Sequence, residues 1–126
     1  MSRVVHFEIL AENLKRAAKF YTDVFGWKIE GWGEERYLLV TTGPNKKPGI
    51  NGAIMPRIKP FTGKKGFLAA ILTVQIDGKL QTYLIRVKRA GGKQITPMQT
   101  IPDIGTHAYC RDTEGNVFGI LQPPAK

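Results

Sequence analysis

The sequence predicts an α+β fold of two consecutive βαβββ modules, and three observations carry that prediction. A strand-like alternation followed by an amphipathic helical run occurs twice along the chain. Both helical runs stop at glycine, where a left-handed cap residue costs least. The same spacing separates Gly26 from Gly92 and Gly49 from Gly115, which argues for duplication.

The first strand is Val5 to Ile9, whose alternation marks a half-buried strand. Asn13 is the expected N-cap of a helix whose apolar positions are Leu14, Ala17, Ala18, Tyr21 and Val24. Strands are then expected over about Trp27–Glu34 and Arg36–Thr42, and a last one runs through Gly49 to Met55. The second half repeats this order. Its strand Leu72–Ile76 precedes a helix with Leu80, Tyr83, Leu84 and Val87 on one face, ending at Gly91-Gly92. Strands about Lys93–Met98 and Gly105–Arg111 follow, and Asp112 to Asn116 is a tight turn into the last strand. Aligning His6 with Thr73 leaves the second half one residue short between first strand and helix. The modules are therefore placed at about 3–57 and 67–122, within one domain over 1–126, and the Pro-, Gly- and Lys-rich stretch 58–66 is the linker.

Composition narrows the function classes. At 126 residues the chain supports one domain with a real core, and its hydrophobic and charged fractions are those of a globular protein. No apolar run approaches the roughly 20 residues of a membrane helix. The strand pattern starts at once after Met1, so a secretory signal is not expected and a cytoplasmic location is. The lone Cys110 forms no internal disulfide and no cysteine metal cluster, and beside Ala108 it reads as a small buried hydrophobe. The net charge of +9 is dispersed over Lys46-Lys47, Lys64-Lys65 and Arg86 to Arg89 without interleaved aromatics. That argues for a solvated surface rather than a nucleic-acid interface, and it favours an anionic over a cationic small ligand.

The opening HFEI…NLKRAAKFYTDVFGW, the strand GINGAIMPR and the closing RDTEGNVFGILQ resemble the vicinal-oxygen-chelate superfamily. Glyoxalase I, extradiol dioxygenases, fosfomycin-resistance enzymes and bleomycin-resistance proteins belong to that group. The resemblance runs from Val4 to Gln122. It implies paired βαβββ modules whose mixed sheet curls around a bowl-shaped site, and it implies a homodimer. It also implies one divalent metal held from the first and last strand of each module, at His6, Ala53, Thr73 and Gly119. His6 alone is a strong ligand there, so that site is dismantled and no resident cofactor is expected.

Alternation along the strands sets the candidate ligand-binding residues. Glu8 shares a face with His6, Gln75 with Thr73, and His107, Tyr109 and Arg111 face away from Ala108 and Cys110. Several readings stay open. The residues bind a small polar or anionic molecule, or His6 acts as base with Tyr109 or Arg111 steadying an anion in a lyase or isomerase. The enzyme alternative also admits a substitute metal site of His6, Glu8 and His107. A third reading is nucleic-acid or protein interaction through the basic surface. Phe7, Ile9, Val74, Ile76, Phe118 and Ile120 are expected to pack beneath the helices, while Trp27 and Trp32 fit core, rim or dimer contact equally.

Overall fold

Short strands with apolar residues on one face, each set paired with one amphipathic helix, organise the chain. In a computed structural model, which describes residues 4–32, 36–57 and 71–125, it separates into two units, Met1–Leu68 and Ala69–Lys126. The expected linker 58–66 lies outside the described residues.

The first unit contains β1 (Phe7–Ala11), α1 (Leu14–Phe25), β2 (Lys28–Trp32), β3 (Tyr37–Thr41) and β4 (Gly52–Pro56). Its sheet order is β1-β4-β3-β2; β1 runs parallel to β4 and the other pairs are antiparallel. Asn13 caps α1 by accepting a 2.9 Å hydrogen bond from the Arg16 amide. Gly26 ends the helix at φ 73°, a conformation that L side chains resist. Ala17, Phe20, Tyr21 and Val24 form the buried stripe of α1, and Ile9, Ala11, Val40, Ala53 and Ile54 are the buried side chains of its strands. Trp27 belongs to this core: it is buried and stacks on Tyr21 at 5.2 Å between ring centroids. Where β1 meets β4, a methyl group on Gly52 would overlap the carbonyl oxygen and ring of Phe7, so only glycine admits this close pairing.

The second unit contains β5 (Leu72–Gln75), α2 (Leu80–Arg89), β6 (Lys93–Gln94), β7 (Gln99–Ile101), β8 (Gly105–Arg111) and β9 (Val117–Gln122). Its order is β5-β9-β8-β6, with the additional short strand β7 also paired to β8. Lys79 supplies no side-chain cap to α2; instead the Leu80 amide donates a 2.8 Å hydrogen bond to Gln122 Oε1 on β9. Leu80, Val87, Ile76, Ala108, Cys110, Phe118 and Ile120 form the buried core. The turn after β8 is held by Asp112, whose Oδ1 accepts from the Glu114 and Asn116 amides at 2.8 Å each.

Two expectations require correction. Neither sheet is closed or strongly curled, so the curled mixed sheet around a bowl is not formed. The physical reason is strand number: parallel pairing of first and last strands leaves β1 and β2 at opposite edges, and closure takes about eight strands. The internal alignment also shifts. Glu8 pairs with Ala53 as Thr73 pairs with Gly119, so Thr73 is the counterpart of Glu8, and His6 corresponds to the half-exposed Ile71. The second half is thus longer, not shorter, between strand and helix: four residues separate β5 from α2 and two separate β1 from α1. A two-residue slip keeps every side chain on its face, so alternation alone does not detect it.

Burial pushes the Cys110 thiol up to about 11 from its ordinary 9. A group raised in the folded state leaves stability intact below the unfolded value and withdraws it as pH climbs towards the folded one. Urea unfolding should therefore show stability falling between pH 9 and 11 by roughly 2–3 kcal/mol more for wild type than for Cys110→Ala. Parallel pH slopes for the two proteins would contradict this account.

Candidate functional site

Both sheets turn one face away from their helix, and the candidate residues gather there in two clusters. In the first unit, Glu8, Ala53 and Leu39 are register partners across β1, β4 and β3, and Tyr37 follows two residues from Leu39 on the same face. Ala53 projects only a methyl group, so long side chains from β1 and β3 meet above it. Tyr37 Oη donates to Glu8 Oε2 at 2.8 Å, and His6 Nε2 lies 3.1 Å from the same hydroxyl. His6 Nε2 is also 3.6 Å from Glu8 Oε2.

This run of hydrogen bonds has a direction. Because Tyr37 gives its proton to Glu8, its oxygen accepts from His6 Nε2–H, which leaves Nδ1 as the imidazole's acceptor. The phenol titrates above its usual 10 because the Glu8 carboxylate takes its hydrogen bond and would repel a phenolate. Half of the His6 side chain remains accessible, at 46%. Sequence reasoning paired His6 with Glu8 and missed Tyr37. Alternation placed Tyr37 on a strand, but the order β1-β4-β3 that brings it over Ala53 has no signature in sequence.

In the second unit the polar face carries Thr73 and Gln75 on β5 and His107, Tyr109 and Arg111 on β8, flanking Gly119 on β9. Ala108 and Cys110, the alternate residues of β8, are fully buried on the helix side. A methyl built on Gly119 would lie 2.9 Å from Thr73 Oγ1, 3.0 Å from His107 Nε2 and 3.5 Å from Tyr109 Cε1. Three polar side chains therefore converge over a residue that has none. The His107 and Tyr109 rings meet edge to face at 4.3 Å. Gln75, opposite Leu121, is exposed, and Arg111 Nη1 donates to the Gly115 carbonyl at 2.9 Å.

A divalent metal at the positions implied by resemblance does not fit these residues. Ala53 and Gly119 offer no donor, the space beside Gly119 is taken by Thr73 and His107, and the counterpart of His6 is Ile71. Among the described residues no three His, Cys, Asp or Glu side chains form a group that could hold a metal ion. His6 and Glu8 belong to one unit and His107 to the other, so neither unit assembles the substitute set by itself. No helix among the described residues is long and apolar enough to cross a membrane.

Comparison with known proteins gives three kinds of match. Residues 3–43 match the family model described as bleomycin resistance protein-like N-terminal. A glyoxylase-like domain-containing protein of Didymella fabae is 30% identical over 125 residues, covering 94% of this chain and 92% of that protein. Among solved structures, a glyoxalase/bleomycin resistance protein/dioxygenase family enzyme from Burkholderia phytofirmans PsJN superposes with TM-score 0.78 at 18% identity, over 94% of this chain and 97% of that one. TnmS3, an antibiotic binding protein from Streptomyces sp. CB03234, superposes with TM-score 0.71 at 24% identity, over 98% of both chains.

The convergence over Gly119 is testable. Gly119→Ala should displace Thr73 and His107 and cost about 1–3 kcal/mol through overpacking. Chemical denaturation together with the His107 imidazole resonances reads both effects. Unchanged stability with unmoved His107 signals would refute the convergence.

Proposed function

The chain belongs to the vicinal-oxygen-chelate superfamily of glyoxalases, bleomycin-resistance proteins and extradiol dioxygenases, and on that premise we propose that it binds a small polar or anionic molecule. The observation that carries this reading is the gathering of Thr73, His107 and Tyr109 around Gly119 on the sheet face opposite the buried Ala108 and Cys110. A hydroxyl, an imidazole and a phenol offer both donors and acceptors to a ligand. The +9 charge favours an anion. The Streptomyces relative is an antibiotic binding protein, so a binding role has precedent in this fold.

A second reading, as a lyase or isomerase acting beside a carbonyl, is favoured by the His6–Tyr37–Glu8 chain. With Nε2–H held by Tyr37, His6 Nδ1 is the atom that would take a proton from carbon. Tyr37 acts there as a positioning residue, and Glu8 holds Tyr37. The superfamily also suggests a homodimer, for which light scattering should return twice the 14.0 kDa chain mass at micromolar concentration. A monomer there would remove that part of the reading.

Binding and catalysis separate in one experiment. Small metabolites, anionic and cationic, are titrated into the isotopically labelled protein in ordinary water, and those that bind are then incubated with it in deuterated water. Anions should perturb the amides of Thr73, His107, Tyr109 and Gly119, and His107→Ala should weaken the best of them by about tenfold or more. Perturbations elsewhere, or no binding below millimolar concentrations, would overturn the binding reading. Deuterium uptake beside a bound ligand's carbonyl, lost in His6→Ala, would establish the catalytic one; its absence would leave binding alone.

A further inference from the structure

Like charges stand directly opposite each other at the end of the second sheet. Lys93 on β6 and Arg111 on β8 are antiparallel register partners, which brings their Cβ atoms to within about 5 Å on one face. That juxtaposition is unfavourable unless something neutralises it. Among the described residues neither cation has a carboxylate partner, and no strand of this sheet contains Asp or Glu. The contrast with the first sheet is direct, since Lys28 there pairs with Glu30 at 3.2 Å. The acidic residues next to Arg111 in sequence are committed elsewhere: Asp112 is buried and binds the turn amides, and Glu114 is buried and accepts from Thr113.

We propose that Lys93 and Arg111 form a clamp for the oxyanion of the bound molecule, a phosphate or a carboxylate. The clamp rests on the binding reading above and deepens it by naming the charged end of the ligand. Arg111 shares its face with Tyr109 and His107, so the clamp continues the polar surface around Gly119. The Arg111 guanidinium is already oriented by its bond to the Gly115 carbonyl, and its remaining N–H groups face no carboxylate. An oriented guanidinium loses less freedom on capturing an oxyanion, and it can offer two parallel N–H donors. Two residues of strand separate Arg111 from Tyr109, which sets about 7 Å between the oxyanion and the group lying over Gly119.

The test titrates wild type and variants with inorganic phosphate and with acetate at constant ionic strength. Binding is followed at the amides of Lys93 and Arg111, and stability is measured in parallel. Tighter binding of one probe identifies the anion as phosphate or carboxylate. Lys93→Glu should weaken that binding by about tenfold or more while raising stability, because the introduced carboxylate would pair with Arg111. Lys46→Glu, an exposed turn substitution with the same charge change, should bind as wild type does. The clamp is refuted if Lys93→Glu binds like wild type or unfolds more easily, or if Lys46→Glu weakens binding equally. If a metabolite perturbs the residues around Gly119 and Lys93→Glu leaves it unaffected, the clamp fails and the binding reading survives. Phosphate or acetate held at Lys93 and Arg111, with nothing binding around Gly119, would fail the binding reading instead.

Discussion

Everything in each unit depends on one constraint, the parallel ladder between its first and last strands. That ladder puts the last strand in the interior of the sheet, between the first strand and an antiparallel neighbour. At equivalent places in the two ladders the interior strand carries a minimal residue, Ala53 opposite Glu8 and Gly119 opposite Thr73. A small residue flanked by strands with long polar side chains creates a meeting point above it. His6, Glu8 and Tyr37 meet over Ala53, and Thr73, His107 and Tyr109 meet over Gly119. The duplication therefore yields the same architectural device twice, with different chemistry in each copy.

The chemistry differs because the flanking residues differ. The first cluster contains a carboxylate and is a closed chain of hydrogen bonds, which orients one imidazole. The second contains no carboxylate and leads along β8 to a pair of cations that have no carboxylate partner among the described residues. A donor-rich face of that kind suits an anion, whereas the first cluster suits holding a histidine in one tautomer. The helices on the reverse faces supply rigidity, with Phe20, Val24, Leu80 and Val87 fully buried.

Much of this was legible in the sequence wherever the signal is local. Asn13 and Gly26 bound α1 as capping chemistry requires, and β8 spans Gly105–Arg111 as its alternation and the following turn indicate. Ala108 and Cys110 declared the buried side of β8, which placed His107, Tyr109 and Arg111 on the other. What was not legible depends on pairing between distant strands. The counterpart of Thr73 was misplaced because a period of two is blind to a shift of two. Tyr37 was overlooked because strand order is not written in periodicity, and β7 is too short to announce itself. The expected curl came from resemblance and not from any residue, and the open strand orders do not support it.

The cap on α2 carries a consequence for the order of assembly. Asn13 lies three residues from the amide it caps, so α1 can close its first turn using its own segment. The first turn of α2 is completed by Gln122, 42 residues away in sequence. Closing that loop costs chain entropy before the helix gains its cap. The second helix thus gains its cap only once β9 lies beside β5, and the two helices are capped by different routes: one from within its own segment, the other from a strand at the far end of its unit.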